Sequence, residues 1–88
     1  SLVDYVTLSK ETTLAELSIN NPKFFGKSLD ELDFRNRYRV NVIIIVSQDD
    51  QINQVPQAND IIQPHDKITV VGNINDIQHL NEIVQKQK

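Results

Sequence analysis

The run Tyr38-Arg39-Val40-Asn41-Val42-Ile43-Ile44-Ile45-Val46-Ser47 limits what this chain can fold into more than any other stretch of it. β-Branched side chains at that density favour an extended backbone. Strict alternation sends Val40, Val42, Ile44 and Val46 to one face and Asn41, Ile43, Ile45 and Ser47 to the other, so both faces are mainly apolar. Such a strand has to be covered twice. Two short amphipathic helices elsewhere in the chain suffice for one face, which leaves the second to another element, another domain, a partner chain or a ligand. The chain is therefore expected to associate.

Eighty-eight residues give one domain with a single modest core. A formal charge of −3 argues against a general nucleic-acid binder, because phosphate affinity is built from clustered Lys and Arg. The basic residues are nonetheless uneven, with Arg35, Arg37 and Arg39 at alternate positions just before the apolar run. Absence of cysteine excludes a disulfide framework and a thiolate zinc site, and is compatible with a reducing cytoplasm. No apolar run approaches the roughly 18 residues of a membrane helix, and no signal-peptide pattern is visible. The chain opens on Ser1-Leu2 and contains no Met, which reads as a piece of a longer protein.

Along the chain, Leu2, Val3, Tyr5, Val6 and Leu8 have near-helical spacing, so residues 1–11 read as a linker with a helix remnant. Residues 12–19 alternate as a strand, ended by Asn20-Asn21-Pro22. Phe24-Phe25-Gly26 is a loop able to drop an aromatic onto the core. Ser28-Leu29-Asp30-Glu31 is a capping box, which starts a helix that buries Leu29 and Leu32 and gives way near Arg37. Strand, short helix and strand in succession predict a crossover that leaves 12–19 and 40–47 parallel within one sheet. A brief strand over 51–55 ends at Pro56, and Ile61 and Ile62 anchor the irregular segment after it. Pro64-His65-Asp66 turns the chain into a strand over 67–72. Asn75 is expected to cap a last helix striped with Ile77, Leu80, Ile83 and Val84, with Lys86 and Lys88 at its negative end.

Little in the sequence supports catalysis or a metal centre. His65 and His79 have no second histidine or cysteine at ligand spacing. Asp49, Asp50, Asp60 and Asp66 lack the alternating oxygen ligands of a calcium loop and read as turn formers. No nucleophile, base and orienting acid assemble, so the chain is expected not to be an enzyme.

Four strings, Gly26-Lys27-Ser28-Leu29-Asp30-Glu31-Leu32, Arg35-Asn36-Arg37-Tyr38-Arg39-Val40-Asn41-Val42-Ile43, Val55-Pro56 and Pro64-His65-Asp66-Lys67-Ile68-Thr69-Val70-Val71-Gly72, resemble in order the RCK_C or TrkA-C regulatory domain of potassium-transport gating proteins. Within that family the chain is similar to the small Ktr-type cytosolic ring subunit, whose other half is a nucleotide-binding Rossmann domain. The resemblance implies that residues 12–88 form the RCK_C domain and that 1–11 lead from a missing Rossmann domain. It implies an α+β fold, a small four-stranded mixed sheet with two main helices in β-α-β-β-β-α order. His65 departs from the family, which usually has Gly there; histidine tolerates a positive φ better than most bulky residues.

The same resemblance implies a homodimer within a larger cytoplasmic ring, peripheral to the membrane through a potassium channel or transporter subunit, with no nucleic-acid partner and no insertion into the bilayer. In some members such domains bind cyclic di-AMP between two protomers. A twofold-symmetric ligand suits an isologous dimer, its phosphates ask for guanidinium or amide donors, and its adenines ask for apolar walls. Arg35, Arg37 and Asn41 are the candidate donors, Asp33 a candidate acceptor for an adenine amino group, and Ile43, Ile44 and Pro56 candidate walls, with His65 as an added side chain. Each has a plainer reading. The arginines would pair with Asp30 or Asp33 on a solvated helix end, Asp33 would be a surface carboxylate, Asn41 would be satisfied by backbone, and the isoleucines would be core or dimer seam. Two alternatives to the ligand reading remain from sequence: a dimerisation domain without ligand, and a cation-sensing module.

Overall fold

A computed structural model describes residues 4–87. Leu2, Val3 and Lys88, which entered the sequence reading, lie outside the described residues. The elements are β1 (Asp4–Thr7), β2 (Thr13–Ser18), a 3-10 turn (Pro22–Phe24), α1 (Leu29–Leu32), α2 (Phe34–Tyr38), β3 (Asn41–Val46), β4 (Ile52–Asn53), β5 (Lys67–Gly72) and α3 (Ile74–Gln85). The class is α+β, as expected. The sheet has five strands rather than four, because Asp4–Thr7 pairs with β2 as a strand instead of forming a helix remnant.

The strand order is β1-β2-β5-β3-β4, and every adjacent pair is antiparallel. The expected crossover is present in direction only. β2 and β3 run the same way, but β5 lies between them and bonds to both, so the sheet is not mixed. A late strand has filled the gap that the crossover leaves open.

Register decides which face each residue serves, since residues directly opposite share a face. One set is buried: Thr13, Ala15 and Leu17 on β2, and Ile68 and Val70 on β5, with Ile19 just beyond β2. On β3 the alternation breaks. Val42 pairs with Val70, whereas Ile44 pairs with Thr69, so Ile43 is an extra residue in a β-bulge. The bulge corrects the face assignment made from strict alternation. Val40, Val42 and Ile45 turn to the core, while Asn41, Ile44 and Val46 belong to the opposite face.

α3 covers the inner face with Ile77, Leu80 and Val84, all fully buried, and Ile83 packs only partly. Its cap is Asn73, whose side chain accepts from Asn75 N at 2.8 Å, rather than Asn75 itself. The end of α3 is closed by tertiary contact. Asn20 N and Asn21 N both donate to Val84 O, and Asn21 Nδ2 donates to Ile83 O, which satisfies carbonyls that a helix end leaves open. Phe24, Phe34 and Tyr38 form an aromatic cluster with centroids 5.8–6.2 Å apart beside this layer.

Among the described residues the outer face has no such cover. Its rows, read across the sheet, are Val6, Leu14, Val71 and Asn41; Asp4, Glu16, Thr69 and Ile44; and Ser18, Lys67, Val46 and Ile52. Val6 and Ile52 stand more than half exposed, and Ile43 is exposed on the β3 bulge.

Candidate ligand cleft

The site begins with the capping box. Ser28 Oγ accepts from Glu31 N at 3.1 Å and Glu31 Oε1 accepts from Ser28 N at 3.0 Å, as the string predicts. These bonds hold the Glu31 carboxyl below its ordinary range, the Ser28 backbone amide having the largest effect. Leu29 N and Asp30 N then donate to Asp60 O and Ala58 O, so the 54–60 loop is tied down against the first turn of α1. Asp60 fixes that loop in turn, its Oδ2 accepting from Gln57 N at 2.7 Å and Asn53 Nδ2 at 2.8 Å; the amide of Gln57 chiefly lowers its pKa.

Asp33 ends α1 with a left-handed backbone, φ 50°, and so redirects the chain into α2. Arg39, φ 60°, does the same between α2 and β3. Two such breaks fold α1, α2 and β3 around a cleft of about 580 Å³, lined by Leu29, Asp30, Asp33, Phe34, Arg35, Asn36, Asn41, Val42 and Ala58. That size lies within the range of small-molecule sites.

Of the residues singled out from sequence, Asp33, Arg35 and Asn41 line this cleft together. Arg35 and Asn41 are exposed, and neither makes a side-chain hydrogen bond or ion pair among the described residues. The expected arginine pairing with Asp33 is absent, since both Asp33 oxygens instead accept from Asn36 Nδ2, at 3.0 and 3.2 Å. The cleft therefore offers a guanidinium and an amide with unused donors beside a carboxylate and an apolar floor.

The other candidates sit elsewhere in the single chain. Arg37 is exposed on α2 away from the lining, Ile43 and Ile44 are on and beside the bulge, and Pro56 lies in the 54–60 loop, which contributes Ala58 instead. His65 is at the far turn with φ 64°, the positive value foreseen for it. Its Nδ1 lies 3.1 Å from Asn20 Oδ1, its ring meets Phe25 edge-on, and Asn20 Nδ2 in turn donates to Gln85 Oε1.

Sequence reasoning had passed over Asn36, Phe34, Val42 and Ala58. Asn36 was legible, as an amide three residues after a carboxylate is a known helical pair. Val42 and Phe34 read only as apolar, and nothing local marks Ala58, which long-range backbone bonds bring to the cleft.

Comparison with known proteins agrees with this architecture. The model of the TrkA-C domain family matches residues 14–85. This chain belongs to that family. It is 30% identical over 88 residues to the Ktr system potassium uptake protein C of Bacillus subtilis (strain 168), covering all of this chain and 39% of that protein. The chain thus spans well under half of that relative. Among solved structures it is similar to the RCK C domain of the potassium transport protein KtrA in complex with cyclic diadenosine monophosphate, with TM-score 0.75, 26% identity and 88% of each chain covered. The RCK_C domain dimer of S. agalactiae BusR in complex with c-di-AMP shares the fold, with TM-score 0.71 and 18% identity over 78% of this chain and 91% of that one. Among the described residues, no helix of this TrkA-C domain is long and apolar enough to cross a membrane.

Proposed function

We propose that this TrkA-C domain is a non-enzymatic regulatory module of a potassium-transport gating protein, which dimerises and binds cyclic di-AMP between its two copies. The observation that carries the reading is the cleft in which Arg35 and Asn41 stand unpaired above Phe34, Leu29 and Val42. Arg35 and Asn41 supply charge-assisted and neutral bonds to phosphate oxygens. Asp33, kept from Arg35 by Asn36, accepts from an adenine amino group, and the apolar floor receives the ring. Each residue acts once per chain and serves twice in a twofold complex. The complexes of the KtrA and BusR domains with this nucleotide support the choice of ligand.

In the parent protein the module sits at the cytoplasmic side of a membrane potassium channel or transporter, as part of a ring. Binding biases gating only so far as the ligand's affinity differs between ring states. Calorimetric titration of the purified chain with cyclic di-AMP is expected to give one nucleotide per two chains. Arg35→Ala and Asn41→Ala should each weaken binding by about 1–3 kcal/mol. Absence of heat together with absence of thermal stabilisation at millimolar nucleotide sinks the proposal.

A second reading, a dimerisation domain without ligand, is favoured by the uncovered outer face with Val6, Ile43 and Ile52 exposed. It predicts a dimer whose stability is indifferent to the nucleotide.

A further inference from the structure

A carboxyl that the nucleotide reading does not use sits at the start of β5, the strand that bonds to both β2 and β3. Asp66 is 3% exposed. Its main chain closes the end of β2, Asp66 O accepting from Ile19 N at 2.8 Å while Ile19 O accepts from His65 N at 3.1 Å, and Asp66 N donates to Gln63 O at 3.1 Å. The side-chain Oδ2 accepts from Gln63 N at 2.8 Å. Oδ1 is fully enclosed and has no hydrogen-bond partner among the described residues. A charge shut away from water without a donor is costly, and an enclosed atom offers no room for a dissolved ion. A proton removes the charge without needing room.

The elements packed around Asp66 do nothing to offset a charge there. From the Ser47–Gln51 turn comes Asp49, and from the segment after β4 comes Asp60, both carboxylates. β3 and β4 bring Ile45, Ile52 and Asn53, and no Lys or Arg lines the hollows that Asp66 borders. β2 ends in Ser18-Ile19-Asn20 and meets α3 there through Gln85, all uncharged. Of its own neighbours in sequence, Lys67 is exposed, and the His65 ring is turned to Asn20 and Phe25. Burial, the largest influence, pushes the Asp66 carboxyl upward; the Gln63 amide pulls against it, and the nearby Asp49 adds to the push.

We infer that Asp66 is a proton-operated latch on the turn that starts β5. With the proton on, the Gln63–Asp66 turn stays closed against the end of β2; with the proton off, the turn opens far enough for water to reach the carboxylate. Because the folded-state value is raised, the stability the proton contributes is fully present below the unfolded value of 3.8 and is lost as pH rises through the folded value. The latch lies apart from the cleft formed by α1, α2 and β3, so it is independent of the nucleotide reading.

Carbon-13 NMR of the Asp66 carboxyl across pH 3–8, with amide hydrogen exchange followed on the same samples, tests it. The carboxyl midpoint is expected above 3.8, and Asp49→Asn, at an exposed position, should lower it part of the way while burial keeps the rest. The amides of Ile19 and Gln63 bond to Asp66 O and Oδ2. After correction for intrinsic exchange rates, their protection should fall as pH rises through that midpoint, whereas Ile77, bonded to Asn73 O at the start of α3, should keep its own. In Asp66→Asn the two amides should lose this pH dependence. In wild type, a carboxyl midpoint at or below 3.8, unchanged protection of Ile19 and Gln63 through it, or an equal loss at Ile77 overturns the inference.

Discussion

Ser28 and Glu31 show how much a single pair of side chains fixes here. Ser28 caps a helix of only one turn, so α1 has almost no stability of its own and depends on the reciprocal bonds and on the 58–60 backbone. Ser28→Ala should cost about 1 kcal/mol in urea unfolding and loosen the cleft wall that α1 forms. Glu31 adds a pH signature. Its folded-state pKa is lowered, so its contribution is present above the unfolded value of 4.5 and is lost as pH falls through the folded value. Wild type and Glu31→Gln are therefore expected to differ most near neutrality and to converge below that range, a pattern that urea midpoints across pH 3–7 would reveal. At this scale the string Ser28-Leu29-Asp30-Glu31 was fully legible, because both partners of each bond lie within four residues. Ala58 was not, because its carbonyl reaches Asp30 only through the fold.

Among elements, β3 taught the opposite lesson from the one its sequence suggested. Six consecutive apolar or amide residues carry no local mark of a bulge, so alternation put Ile44 on the face of Val42 and Ile45 on the face of Asn41. Pairing with β5 exchanges them, Ile45 joining Val42 and Ile44 joining Asn41. The strands other than β1, the capped helix and the turn at His65 were readable, since each has a local period or a backbone requirement, whereas the near-helical spacing of Tyr5, Val6 and Leu8 hid β1. Strand order was not, because nothing near β5 states that it inserts between β2 and β3. The insertion is tight: a Cβ at Gly72 would come within 3.0 Å of Val40 Cγ1 and 3.2 Å of Arg39 O. Gly72→Ala should thus destabilise the fold by about 1–3 kcal/mol in equilibrium unfolding. A variant as stable as wild type would show that β3 shifts freely against β5.

For the whole molecule, one sheet face is packed and the other is open, which returns to the demand that the central run made at the outset. Inner cover comes from α3, α2 and the aromatic cluster, while the outer face, apolar and polar by turns, is left open among the described residues. Under the proposed dimer, Ile43→Glu puts a charge on the exposed bulge without disturbing the core. Sedimentation should then shift from dimer toward monomer with the circular dichroism spectrum unchanged. An unaltered dimer would locate the seam away from β3.

β5 is the middle strand in space but the last strand in sequence. During synthesis, residues up to 63 therefore emerge as two hairpins, β1–β2 and β3–β4, with no bond of the sheet between them. The two halves are joined only when residues 67–72 leave the ribosome, and the inner face is covered only when α3 follows, so nascent chains that lack β5 or α3 should remain open to proteases and those carrying both should close into a resistant unit.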